Sequence, residues 1–350
     1  MRFLPYQRVE YIFLLLVAIY VATCAAVSHA YGLGDKFQPL MYMERCVVMT
    51  TFLGLVYLFY SLLRVFYIMI TVRPLKLTRY LWEDLRRGPL NTQRLLKAIP
   101  VFIGFVFFFS AFTSMKQMIP GIHSFSWDQE FAALDHWLHF GIDPWKLLYP
   151  FFNIPFVTYA LNINYNVWLV AVFAALYWQL FSLANPYARM HFFYAFFFCW
   201  VINGTLIAIL FSSAGPCFLE RLTGSDYYAP LMAHLNHANE KFQIFAVSTQ
   251  NMVWNAASKN ESMTGGGISA MPSIHVTTAM IFWLLARELK NKYTRLFLIF
   301  FVLIVLGSVY LGWHYAVDGY LAMILTYAIW QITGWMVQKL QKNHINQLNS

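Results

Sequence analysis

The chain has 350 residues, of which 60% are hydrophobic, 19% aromatic and 11% charged. A soluble globular domain carries about 25% charged residues, so this composition excludes an ordinary water-soluble fold and points to lipid. A formal charge of +9 would suit a nucleic-acid binder, but the placement of those charges excludes that class too.

Charge-free windows set the order of elements. They are Tyr11–Ser28, Cys46–Leu63, Ala98–Met115, Leu147–Ala188, Phe192–Leu219, Ser269–Ala286, Leu296–Trp313 and Gly319–Gln338. A hydrocarbon core of about 30 Å needs roughly 20 helical residues, and each window reaches or nearly reaches that length. Helices are required, because isolated strands leave backbone groups unsatisfied in lipid. In the fourth window Asn153, Pro155, Asn162, Asn164 and Asn166 crowd the first half, so one span, about Phe156–Leu183, follows an interfacial stretch. The expected fold is all-α, a polytopic membrane helical bundle with eight transmembrane helices.

With the amino terminus inside, the inner segments hold 17 of the 24 basic residues against four acids, and the outer segments hold seven basic residues and 11 acids. The inner set runs from Arg2 and Arg8 through the Arg64–Lys97 stretch, Arg189 and the Arg287–Arg295 stretch to Lys339 and Lys342. This bias places both termini in the cytoplasm, in a plasma or inner membrane, and makes the excess charge an orientation signal. Anionic lipid at Arg73–Lys97 is a further use for it. Residues 1–30 also mimic a secretory leader, with Ser28-His29-Ala30 as a cleavage site, and are read as the first span. Cys46 and Cys217 fall near the outer face and could pair only if the fold brings them together.

Two outer connections are long. In Ile119–Pro155, Trp127, Phe131, Leu134, Trp137, Leu138 and Phe140 recur near helical spacing, which predicts a helix lying at the interface, as an aromatic anchor or as a lid or lipid-entry wall. Ser212–Ile268 begins with Ser212-Ser213-Ala214-Gly215-Pro216 and ends with Gly265-Gly266-Gly267-Ile268. Small, flexible residues at both edges suit backbone that bends close to a ligand.

Two strings can carry chemistry. Met271-Pro272-Ser273-Ile274-His275 stands near the start of span six, and Gly312-Trp313-His314-Tyr315-Ala316-Val317-Asp318 stands where span seven gives way to span eight. The topology puts Pro216, His275, His314 and Asp318 at one depth near the outer face. His314 and Asp318 are spaced i, i+4, so within a helix they share a face. A carboxylate can then hold one imidazole nitrogen as donor and leave the other as nucleophile or ligand. Asp318 is the only acid at the outer ends of the last three spans. An ionisable group in lipid costs about 2.5–3.5 kcal/mol on insertion scales, which makes it a functional candidate. Taken singly, either string could be a structural cap; together, at one depth, they point to a site.

The two strings resemble the second and third signatures of the type 2 phosphatidic acid phosphatase superfamily, Pro-Ser-x-His and, about forty residues on, His-x-x-x-Asp. They are most similar to its inositol phosphorylceramide synthase-like branch, with Ala322 four residues after Asp318. The resemblance covers residues 98–340 and implies a catalytic membrane domain there with a six-helix core. Residues 1–97 would hold the first two helices and a basic inner loop, and 341–350 an inner tail. It implies a lipid phosphotransferase or phosphatase working through a phosphohistidine at the outer face, without metal or cofactor. The substrate would be a phospholipid or lipid phosphate, and the acceptor water or a lipid alcohol. His314 would attack phosphorus, Asp318 would orient it, and His275 would protonate the leaving alkoxide. Ser273 with nearby backbone amides would hold phosphate oxygens, and Gly215 and Pro216 would border them.

Two departures from the family pattern matter. The first signature, a Lys, six residues and Arg-Pro, is missing: Arg73-Pro74 is a decoy on the inner face, with Phe66 in place of the Lys. Arg221, beyond the end of span five, is the candidate phosphate clamp, since a guanidinium suits bidentate phosphate contacts. The Arg usually found six residues before the nucleophile is Ser308, so a second cation must come from elsewhere, with Lys241 and Lys259 as options. Three other readings stand beside this one. A simple lipid phosphate or polyprenyl phosphate phosphatase with water as acceptor uses the same site. A two-histidine, one-carboxylate metal centre would use His275, His314 and Asp318. A transporter or lipid-binding scaffold would show duplicated halves, which the sequence lacks.

Overall fold

Among the described residues every long regular element is a helix, as a chain surrounded by lipid requires. The structure, a computed structural model, describes residues 5–87 and 91–349, the side chains of 5–8, 87 and 343–349 excepted. Arg2 of the inner charge set lies outside these residues, as do the side chains of Arg8 and Arg87.

The helices are α1 (Pro5–Ala30), α2 (Met43–Thr71), α3 (Leu77–Arg87), α4 (Thr92–Ile122), α5 (Asp128–Leu138), α6 (Pro144–Phe152) and α7 (Pro155–Phe181). There follow α8 (Pro186–Leu210), α9 (Pro216–Thr223), α10 (Ala229–Lys241), α11 (Phe245–Ser258), α12 (Ile274–Glu288), α13 (Thr294–Tyr310) and α14 (Ala316–Asn349). Six are long and apolar enough to cross a membrane: α1, α2, α4, α7, α8 and α14. The sixth and seventh windows form α12 and α13, of 15 and 17 residues, short of the roughly 20 that a straight crossing uses. The reason is local. Pro272 and the capping Ser273 delay the start of α12, and Gly312 at φ +74° ends α13 early. The fifth window likewise stops at Leu210, where Ser212-Ser213-Ala214-Gly215-Pro216 breaks the helix. Backbone that the apolar windows assign to helix is released as loop, all of it at one end of the bundle.

The bundle closes around α8, which packs against α1, α4, α7, α12 and α14. A helix that is apolar on every side belongs in the interior, and α8 shows it with Phe192, Phe193, Tyr194, Phe196 and Phe197 all buried. Their rings meet Phe13 of α1 and Phe105, Phe108 and Phe109 of α4 at centroid distances of 5.2–6.0 Å. At the far end from the released loops, buried Arg189 pairs with Glu10 of α1 and donates to Gln179 O and Lys97 O, each at 3.0 Å. One guanidinium thereby ties α1, α4, α7 and α8. Helix α2 stands apart: Cys46 and Ile68 are its buried residues, and most of its apolar surface faces outward. All four cysteines are free, so Cys46 and Cys217 do not pair.

Candidate active site

Three loops, Ser212–Gly215 after α8, 268–273 before α12 and Leu311–Tyr315 between α13 and α14, are laced by backbone hydrogen bonds. Ala270 N donates to Ser213 O and Cys217 N to Gly312 O, both at 2.9 Å, and Ser273 N donates to Asp318 O at 3.3 Å. Gln250 of α11 donates to Leu311 O at 2.9 Å. Gly215 is required at the crossing: its φ is +105°, and a Cβ there would collide with the Trp313 carbonyl oxygen.

His314 precedes α14 instead of lying inside it, so it and Asp318 meet across a helix start and not along one face. The ring Nδ1 is 2.9 Å from Ala270 O and 3.3 Å from Asp318 Oδ2. Both partners are acceptors, so Nδ1 carries the proton and Nε2 keeps its lone pair. The same Asp318 oxygen accepts from Tyr315 N at 3.0 Å. The Ala270 carbonyl is thus the closer orienting partner, and sequence reading had no means to name it.

His275 sits in the first turn of α12. It lies flat on Tyr165 (centroids 4.5 Å, planes 20° apart) and against Trp168 (4.1 Å) of α7. Its centroid is 6.1 Å from that of His314. No hydrogen bond holds its nitrogens among the described residues, which leaves them for a ligand. Both imidazoles line one cavity of about 290 Å³. Ala214, Pro272 and Trp313 border it on the loop side, the wall toward α4, α7 and α8 is aromatic (Phe109, Phe112, Phe173, Trp200), and Lys116 projects from α4.

The other sequence candidates are placed as follows. Asp318, fully buried, lies behind His314 and does not line the cavity. The Ser273 hydroxyl accepts from Val276 N at 3.4 Å and so caps α12. Gly215 and Pro216 form the start of α9 beside Trp313. Arg221 is not brought to the cavity; it donates to Asn251 Oδ1 at 2.6 Å and lies over the Trp254 ring. Lys241 and Lys259 do not line it either. Because Asp318 stands behind one imidazole, the three donors of the metal reading do not converge on a point. Among the described residues no group of three or more His, Cys, Asp or Glu could hold a metal ion.

Helix α5 contributes what sequence reading missed. Its stripe Asp128, Phe131, Ala132, Asp135 is buried, while Trp137 and Phe140 beyond it are exposed. Leu134, Trp137 and Leu138 therefore face outward, and the two acids face in beside Phe131. Asp128 accepts from Ala214 N and Gly215 N at 2.8–3.0 Å and from the Tyr315 hydroxyl at 3.0 Å. Asp135 accepts from Ala316 N and Val317 N at 2.6 and 2.9 Å, the first amides of α14. An anionic acceptor suits a helix start, where free N–H groups and the dipole coincide. Burial pushes the Asp135 carboxyl up to about 6, against the pull of those two amides. The i, i+7 spacing of the acids was visible in the sequence, but acids beside an apolar stripe read as its solvated side.

A comparison with family models finds the PAP2 superfamily over residues 129–332. No curated protein and no solved structure matches the chain.

Proposed function

Because the chain belongs to the PAP2 superfamily, a family of lipid phosphatases and phosphotransferases, we propose that it transfers a phosphorylated head group between lipids through a phosphohistidine on His314. The observation that carries this reading is the His314 ring itself. Its Nδ1 is committed to two acceptors, and Nε2 is left for a cavity whose opposite wall, 6.1 Å away between centroids, is His275.

In the first half-reaction Nε2 attacks phosphorus, a P–N bond forms, and the P–O bond to the lipid alkoxide breaks. His275 gives its proton to the leaving oxygen, a role commonly worth about 10²–10⁴-fold. Asp318 and the Ala270 carbonyl balance the charge that develops on the His314 ring. In the second half-reaction the acceptor hydroxyl attacks the phosphohistidine, His275 takes its proton, and the P–N bond breaks. The Ile274 and His275 amides, first in α12, are the candidate backbone donors for phosphate oxygens, since those of Tyr315, Ala316 and Val317 are already taken by Asp318 and Asp135. The likeness of Pro272-Ser273-Ile274-His275 and His314–Asp318 to the synthase-like branch supports a lipid alcohol as acceptor; water in the same place gives a phosphatase. The cation distribution supports a cytoplasmic location for both termini and an outer-face site. The helix ends that carry the site are opposite to those that carry Arg189, Arg287 and Lys339.

The test is turnover of labelled phospholipid by purified protein, with and without ceramide or diacylglycerol. A new phospholipid formed only with acceptor, and lost in His314→Ala, is expected. Free phosphate as the sole product would overturn the transfer reading.

A further inference from the structure

The cavity presents a charge problem. A phosphoryl group brings at least one negative charge into an aromatic-walled space, and the family's usual cations are missing from their usual places. Arg221 is engaged with Asn251 and Trp254 outside the cavity. Ser308 occupies the position of the other arginine, and its hydroxyl bonds Val305 O at 2.7 Å.

Lys116 answers the problem. Among the described residues that line the cavity it is the one Lys or Arg, and no carboxylate lines the cavity to neutralise it. It forms no ion pair or hydrogen bond among the described residues. It lines the same cavity as His275 and His314.

Its placement is built. The next residue, Gln117, clasps the backbone of Met263, donating to its O at 3.0 Å and accepting from its N at 2.9 Å. That clasp draws the glycine run onto α4. Gly267, at φ +92°, packs so closely that a Cβ would come within 2.9 Å of the Lys116 carbonyl carbon and 3.0 Å of its Cγ. Only a glycine loop can lie there, and it holds the lysine stem against the cavity wall.

We propose that Lys116 is the phosphate-binding cation of this site, supplied by α4 in place of the arginines and lysine of the family signatures; this rests on the phosphohistidine reading above. An unpaired ammonium in a cavity walled largely by aromatic side chains favours an anionic head group, because charge-assisted hydrogen bonds are strengthened in a low-dielectric setting. The ligand class is a lipid with an anionic phosphoryl group.

Three variants and a footprint test it. Kinetics with dioleoylphosphatidic acid and dioleoylphosphatidylinositol as donors compare wild type with Lys116→Met, Lys116→Arg and His314→Gln. Lys116→Met is expected to raise KM by about 10–100-fold, with a smaller change in kcat, and Lys116→Arg to recover most of it. A KM within threefold of wild type in Lys116→Met, with His314→Gln inactive, overturns the assignment of Lys116. Full turnover in His314→Gln overturns the underlying reading instead. Should Lys116→Met not fold, acetylation of the wild-type protein decides. Lys116 is expected to be shielded by dioleoylphosphatidic acid and left reactive with dioleoylglycerol, and equal reactivity with both lipids contradicts the proposal.

Discussion

The tautomer of one ring is fixed by two oxygen atoms of unequal rank. Ala270 O stands at 2.9 Å from His314 Nδ1 and the Asp318 carboxylate at 3.3 Å. In a serine-protease triad, replacing the carboxylate by an amide costs about 10⁴ in rate, because the imidazole adopts the wrong tautomer. Here the Ala270 carbonyl still holds the proton on Nδ1 when the carboxylate is lost. Asp318→Asn is therefore expected to lower kcat by about 10–100-fold, well short of that loss, while His314→Gln abolishes turnover; steady-state kinetics on the two variants checks the ranking. The histidines and the aspartate were legible because their types and spacings form contiguous strings. Lys116 was not. It lies about 160 and 200 residues before its two partners and served only as the charge that ends the third apolar window. Arg221 is near the Gly215-Pro216 turn along the chain, but the Trp254 face and Asn251 hold it away from the cavity.

The helices show why proximity in sequence misled. Pro272, Gly215 and Gly312 each shorten an element whose apolar run continues past it, and the loops so released make the site. Hydropathy registers that these stretches lack charge and cannot register that they leave the helix. Helix α5 was legible as a helix, but its role was not. Asp135 caps α14 and Asp128 pins the loop at Gly215, so both sides of the site are set by acids of a helix that touches neither imidazole. The folded chain holds the Asp135 proton more tightly than the unfolded chain, at about 6 against 3.8. This contribution to stability is fully present below about pH 4 and is lost as pH rises through 6. It is on the order of 3 kcal/mol. Thermal melting in detergent should fall across that interval for wild type, and Asp135→Asn should flatten the slope. An unchanged slope would show that Asp135 does not titrate there.

At the scale of the whole molecule, lipid-class composition and the order of apolar windows predicted an all-α membrane bundle, and the structure is one. What the windows could not give is which helix is central. The Phe-rich run of α8 looks like any other span, and its place emerges only from contacts with α1, α4, α7, α12 and α14. The Glu10–Arg189 pair anchors that centre at the end away from the site. Glu10→Gln leaves a buried guanidinium without its counter-ion, a loss of about 3–5 kcal/mol. Its melting temperature should drop by several degrees, while KM for the phospholipid donor stays unchanged, because the cavity lies at the opposite helix ends. A coupled change in both would show that the two ends are not independent.

The most direct test of the whole account is to trap the intermediate. Purified protein is mixed briefly with phospholipid labelled in its head-group phosphate, quenched in alkali, where phosphoramidates survive, and mapped by mass spectrometry. An acid-labile adduct on His314 is expected, one that disappears when acceptor is added and never forms in His314→Gln. Turnover without any adduct on His314, or an adduct on another residue, would contradict it.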